Sequence, residues 1–144
     1  MSGFTLPANE AAEAVGHWFS AVFDDLHALA KASDRAIRDN RGRRDTLTDK
    51  DLRAVRSAAV GFLNRHHIPE AAGIVLPVGA VDAERGSVEW WRRTGDNDMQ
   101  RVVFNLTPSA AGFYDFQSLE WFTDVVTTGE PTVHGPYLDY AGMD

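Results

Sequence analysis

At 144 residues the chain is long enough for one domain with its own core and too short for two full ones. Its 44% hydrophobic and 24% charged residues lie near the globular average, which excludes a mainly disordered or collagen-like chain. With 14 Lys and Arg against 21 Asp and Glu the net charge is −7, so nucleic acid is not an expected partner, and the absence of cysteine removes disulfides, thiolate metal sites and cysteine nucleophiles.

The first seven residues lack the basic start and apolar run of a secretory signal, and no stretch of about 18 consecutive apolar residues is present to span a bilayer. The expectation is a cytoplasmic protein without membrane contact. From residue 9 to about 38, Val15, Phe19, Val22, Leu26 and Leu29 recur at helical intervals, with Phe23, Ala30 and Ile37 widening the stripe. This predicts a long amphipathic helix. Its spacing suits either packing on the chain's own sheet or pairing of two such helices in a homodimer.

Residues 39–45 are polar and contain Gly42, so they read as a loop whose Arg41, Arg43 and Arg44 form a solvated basic cluster. A second helix is expected over 46–68, opened by Thr48 as a cap with Asp51 three positions on. Leu52, Val55, Ala59, Phe62 and Leu63 give its apolar face, and Ile68-Pro69 stops it.

After the second helix the period changes. Residues 72–81 form a short apolar run that fits a buried strand better than a helix, because it contains Pro77 and Gly79. A second strand is expected over 87–92. Beyond a turn at 95–98, Val102, Phe104 and Leu106 alternate with Arg101, Val103 and Asn105, which predicts a third strand in a hairpin with the second. A loop at 108–112, a short helix or turn from 118 to about 127, and a last extended segment at 132–137 complete the order. The result is an α+β domain over 1–144, with a long N-terminal helix and a second helix packed on a mainly antiparallel sheet. A last strand so near residue 144 leaves a raw edge, so further strands or a partner subunit are expected to cover it.

Aromatic residues crowd the second half: Trp90, Trp91, Phe104, Phe113, Tyr114, Phe116, Trp121, Phe122, Tyr137 and Tyr140. Such a group forms either a core or a small-ligand pocket. Arg92, Arg93, Asp115, Glu120, Asp124 and Asp139 are interleaved with it, as a pocket with apolar walls and a few placed polar groups requires. Adjacent His66 and His67 diverge by about 100° on a helix and lack a carboxylate at i+4, so they read as a solvated helix end, and His17 and His27 as surface positions. Glu120 and Asp124, at i and i+4, read as an exposed acidic pair. There is no nucleophile elbow and no phosphate loop, and no metal or other cofactor is expected.

Tyr114, then Trp121-Phe122, then Gly129-x-Pro131 and Gly135-Pro136-Tyr137-x-Asp139-Tyr140 resemble the ligand-binding half of a Cache (PDC sensor) domain, the PAS-like module of bacterial receptors. The likeness covers roughly residues 48–144, with the first helix resembling the long helix that precedes the sheet in that family. It implies a PAS-like sheet and a non-catalytic pocket for a small organic molecule. The pocket would be walled by Trp91, Tyr114, Trp121, Phe122 and Tyr137, with Arg93 and Asp139 orienting the ligand. Leu119 stands where the amino-acid-binding subgroup has an arginine, so the two-pronged carboxylate clamp of that subgroup is missing. The expected function is a sensor that relays occupancy through its long helix or a homodimer interface. The alternatives are a small enzyme of the cone-shaped isomerase and cyclase type and a non-binding dimerisation module.

Overall fold

A computed structural model describes residues 7–41, 49–80, 84–95 and 98–136. Two helices, α1 (Ala8–Arg41) and α2 (Asp49–Arg65), precede a hairpin sheet of β1 (Ala71–Leu76), β2 (Ser87–Arg93) and β3 (Met99–Val102). A 3-10 turn (Phe116–Ser118) and a short helix α3 (Glu120–Thr128) follow. The α+β class read from the sequence is the class observed.

α1 runs three residues past the predicted end and is about 51 Å long at 1.5 Å per residue. Its core-facing row is Trp18, Val22, Leu26, Leu29 and Ser33, at helical intervals. Val15, which the periodicity assigned to this row, is 54% exposed, and Trp18 takes the inner position. Phe19 lies to one side, edge-on to Trp18 and stacked on Phe23. Ser33 is buried with its hydroxyl satisfied, donating to the Leu29 carbonyl at 2.9 Å.

α2 meets α1 and the sheet through Val55, Ala59, Phe62 and Leu63, all almost fully buried. Ala59, with no side chain beyond Cβ, belongs to the same buried cluster as Val22 and Leu29 of α1. The expected cap Thr48 lies outside the described residues. At the other end of α2, Asp25 of α1 accepts hydrogen bonds from Arg65 Nε at 2.9 Å and His66 Nε2 at 2.7 Å. His66 is therefore not a solvated helix end: its side chain is 11% exposed and its ring tilts against Phe62.

The strands pair antiparallel in the order β1-β2-β3, with Ala72 opposite Trp91, Gly73 opposite Trp90, and Trp90 opposite Val102. β1 ends before Pro77, which has no N–H for a ladder, and a turn at 77–80 replaces the strand expected to reach 81. β3 begins two residues earlier than expected and stops at Val102, so 103–106 is outside the ladder. Residues 132–136 form no strand in the described chain, and Tyr137 lies outside it.

Period-two alternation gives the sheet two different faces. Ala72, Ile74, Trp91 and Met99 turn toward α1 and α2 and complete their core. On this face Glu89, 4% exposed, accepts from Trp91 Nε1 and Arg101 Nε, each at 2.8 Å, and the Arg56 guanidinium lies 4.8 Å from the Trp91 ring centre. A buried carboxylate is tolerable only when paired in this way. The opposite face carries Gly73, Val75, Val88 and Trp90. A Cβ on Gly73 would collide with the Glu89 carbonyl and the Trp90 ring, so glycine allows Trp90 to lie flat across β1.

Gly73→Ala is expected to cost ~1–3 kcal/mol through this overlap, read by urea unfolding and a changed tryptophan emission; an unchanged midpoint would place the indole elsewhere. The hydrogen bonds from Arg65 and His66 hold the Asp25 carboxyl below its ordinary pKa of 3.8. A depressed acid stabilises the fold above its unfolded pKa and loses that contribution as pH falls through the folded one. Asp25→Asn should therefore lower Tm at pH 7, and the gap from wild type should shrink as pH drops below 3.8. A gap that grows on acidification would reverse the assignment.

Candidate functional site

On the face of the sheet turned away from α2 lies a cavity of about 590 Å³. Its floor is Gly73, Val75, Val88 and Trp90. Phe104 and Tyr114 form one wall, and Trp121, Phe122, Val125 and Val126 of α3 form the cover. Thr132 and His134 close the remaining side, and Leu26 of α1 reaches the rim together with Pro77.

Local chemistry explains how such distant residues converge. Asn105 holds a compact loop: its amide donates to the Ala111 carbonyl at 3.0 Å, its side-chain oxygen accepts from Thr107 N–H at 3.2 Å, and its own carbonyl accepts from Tyr114 N–H at 2.8 Å. The loop returns Tyr114 onto Phe104, with ring centres 4.9 Å apart and planes 22° from parallel. Phe116 then plugs against Gly86, where a Cβ would overlap its ring, and Gln117 accepts the Val78 N–H at 3.1 Å. These anchors aim α3. Phe116 meets Phe122 edge-on at 5.2 Å, and Phe122 meets Trp121 at 5.8 Å with perpendicular planes. At the far end of α3, Gly129 adopts φ 70°, the left-handed conformation a side chain resists, and the chain turns back past the cavity.

Polar groups at the site are few and placed. Trp121 Nε1 is closed to water and meets no acceptor, a state that costs a buried donor ~1–3 kcal/mol. His134, 21% exposed, brings Nε2 within 3.3 Å of Asp124 Oδ2. Asp124 belongs to α3 and His134 to the returning segment, so this contact ties the cover to the side wall. Among the described residues the lining contains no Lys, Arg, Asp or Glu.

Tyr114, Trp121 and Phe122, singled out from the sequence, are brought together at this cavity. Trp91 and Arg93 are not. Alternation along β2 turns both toward the helices, and Trp90, one residue from the expected position, faces the cavity instead. Arg93 Nη2 donates to the carbonyls of Leu63 at 2.6 Å and His66 at 3.3 Å, so it caps the C-terminal end of α2, where carbonyls lack helical partners. Tyr137 and Asp139 lie outside the described residues. Leu119, at the position where the subgroup arginine would stand, is the N-cap residue of α3, and its carbonyl accepts from Phe122 and Thr123 N–H.

His134 was missed by sequence reading, although a signal existed: around Val133, which is 66% exposed, Thr132 and His134 alternate to the other side. Phe104 was noted only as one aromatic among ten, and its pairing with Tyr114 depends on the Asn105 loop. Glu120 and Asp124 are both exposed, and Asp124 is engaged by His134. His17, His27 and His67 are exposed as expected, and no group of three His, Asp or Glu residues suited to a metal occurs among the described residues. No helix of the described residues is long and apolar enough to cross a membrane. The chain matches no family model, no curated protein and no solved structure.

Proposed function

We propose that this chain is a non-catalytic small-molecule-binding sensor domain of the Cache type, acting as a homodimer in the cytoplasm and relaying occupancy through α1. The observation that supports binding is the convergence of Tyr114, Trp121 and Phe122 with Trp90 and Phe104 on one cavity of about 590 Å³. A cavity of that size with aromatic walls and few polar groups is the form small-ligand sites take. The same three residues carry the resemblance in sequence, so two lines of reasoning meet at one place.

The relay reading draws on Leu26. It belongs to the packed row that α1 presents to the core, and it also reaches the cavity rim. A ligand that presses on this side chain acts on the helix–sheet contact itself. Population shift requires that the ligand bind one arrangement of α1 better than another, and Leu26 is where such a difference arises.

A thermal-shift screen against organic acids, amino acids, amines, purines and short sugars tests the proposal. A ligand at a hundred times its Kd stabilises by ~2.7 kcal/mol, or roughly 8 °C for a domain of this size. The expected result is a shift with one chemical class that is lost in Trp121→Ala, with the unliganded variant still folding cooperatively, because α3 contains no buried residue. Absence of a shift with every class, or unfolding of Trp121→Ala, would return the aromatic group to a purely structural role.

A further inference from the structure

The lining of the cavity limits both the charge and the shape of a guest. Among the described residues that line it none is Lys, Arg, Asp or Glu, so an ion entering the cavity meets no opposite charge there. His134 is the lining side chain able to carry a positive charge near neutral pH, and the Asp124 carboxylate, 3.3 Å from its Nε2, already stands against it. An anion also enters against the field of a chain whose net charge is −7. A cation is drawn to ring faces but finds no carboxylate in the lining. Taking an ion out of water without a partner is costly, which leaves an uncharged guest.

The rings set the shape. The Trp90 indole lies across Gly73, where a Cβ would come within 2.8 Å of Trp90 Cε3, and forms a floor with Val75 and Val88. Phe104 and Tyr114 make a wall of two nearly parallel rings, 4.9 Å apart with planes at 22°. Trp121 and Phe122 stand perpendicular to each other in the cover, with centres 5.8 Å apart. Aromatic rings thus occur on the floor, in one wall and in the cover. Stacked and edge-on contacts with such rings favour a planar aromatic guest beyond the area it buries.

Resting on the binding reading above, we propose that the cavity selects an uncharged, flat aromatic compound, held by ring contacts and burial of apolar surface with no ion pair. Of the metabolite classes in the thermal-shift screen, the purine bases are both flat and uncharged. Organic acids, amino acids and amines carry charge, and short sugars are puckered and polar all round.

Four probes of similar size separate charge from shape: 2-naphthol, 2-naphthoate, 2-naphthylmethylammonium and decahydro-2-naphthol, titrated into the full chain at pH 7.5 by calorimetry, with the indole N–H signals followed by ¹⁵N–¹H NMR. 2-Naphthol should bind at least about tenfold more tightly than each of the other three, and the indole signal that Trp121→Phe removes should move as it binds. Phe104→Leu, which keeps the wall apolar and removes a ring, should narrow the gap between 2-naphthol and decahydro-2-naphthol. If that variant does not fold, the Trp121 signal of the wild-type chain still locates the guest. Comparable or tighter binding of either charged probe overturns the uncharged assignment, and comparable or tighter binding of decahydro-2-naphthol, or a gap unchanged in folded Phe104→Leu, overturns the flat one; each leaves the binding domain standing. Binding of 2-naphthol that leaves the Trp121 signal in place puts the guest outside this cavity and overturns the inference. Saturable binding of none of the four overturns both the inference and the reading it rests on.

Discussion

Two neighbouring tryptophans on one strand cannot face the same way, and the rest of this molecule is arranged around that constraint. β2 is the central strand, so whatever Trp91 packs against, Trp90 must face the opposite layer. Trp91 is held by the Glu89 carboxylate, covered by Arg56 and enclosed by α1 and α2. Those contacts set the rotation of the strand. Trp90 is left to cover the second face, where Gly73 gives it room and α3 supplies its other neighbours.

The two faces are unlike in how they are closed. On the helix side, Val55, Ala59, Phe62 and Leu63 are at most 2% exposed, and the Asp25–Arg65 ion pair joins α1 to the end of α2. On the other side α3 has no buried residue, and Val125 and Val126 remain 44% and 63% exposed. A helix held by a plug at Phe116, one hydrogen bond donated by Val78 N–H to Gln117 and the His134–Asp124 contact opens at lower free energy than one embedded in a core. The sheet thus has one tightly closed face and one whose covering helix stays largely exposed.

Legibility of the sequence followed the same division. The helices, the hairpin and α3 were readable because apolar period, turn residues and strand alternation agree locally. What was not readable was register. Trp90 and Trp91 are equivalent to any pattern argument, and only the pairing of Ala72 with Trp91 and Gly73 with Trp90 decides which one meets the helices. Arg93 looked like a ligand-orienting group because it neighbours the aromatics in sequence; the bare carbonyls at the end of α2, thirty residues earlier in the chain, are what it answers. In α1 a heptad-like row from Val15 and the observed row from Trp18 differ by a small rotation about the helix axis, which no periodicity fixes. Tyr114, Trp121 and Phe122 were found because the motif carried them as a set, whereas His134 stood outside it.

The sheet separates the helix core from the cavity. Leu26 is the side chain of α1 that belongs to both compartments. It lies one residue from Asp25, whose carboxylate fixes α1 to the end of α2 through Arg65 and His66. His66 in turn shares with Leu63 the guanidinium of Arg93, which returns to β2. Leu26 thus sits beside the point where α1, α2 and the central strand are joined.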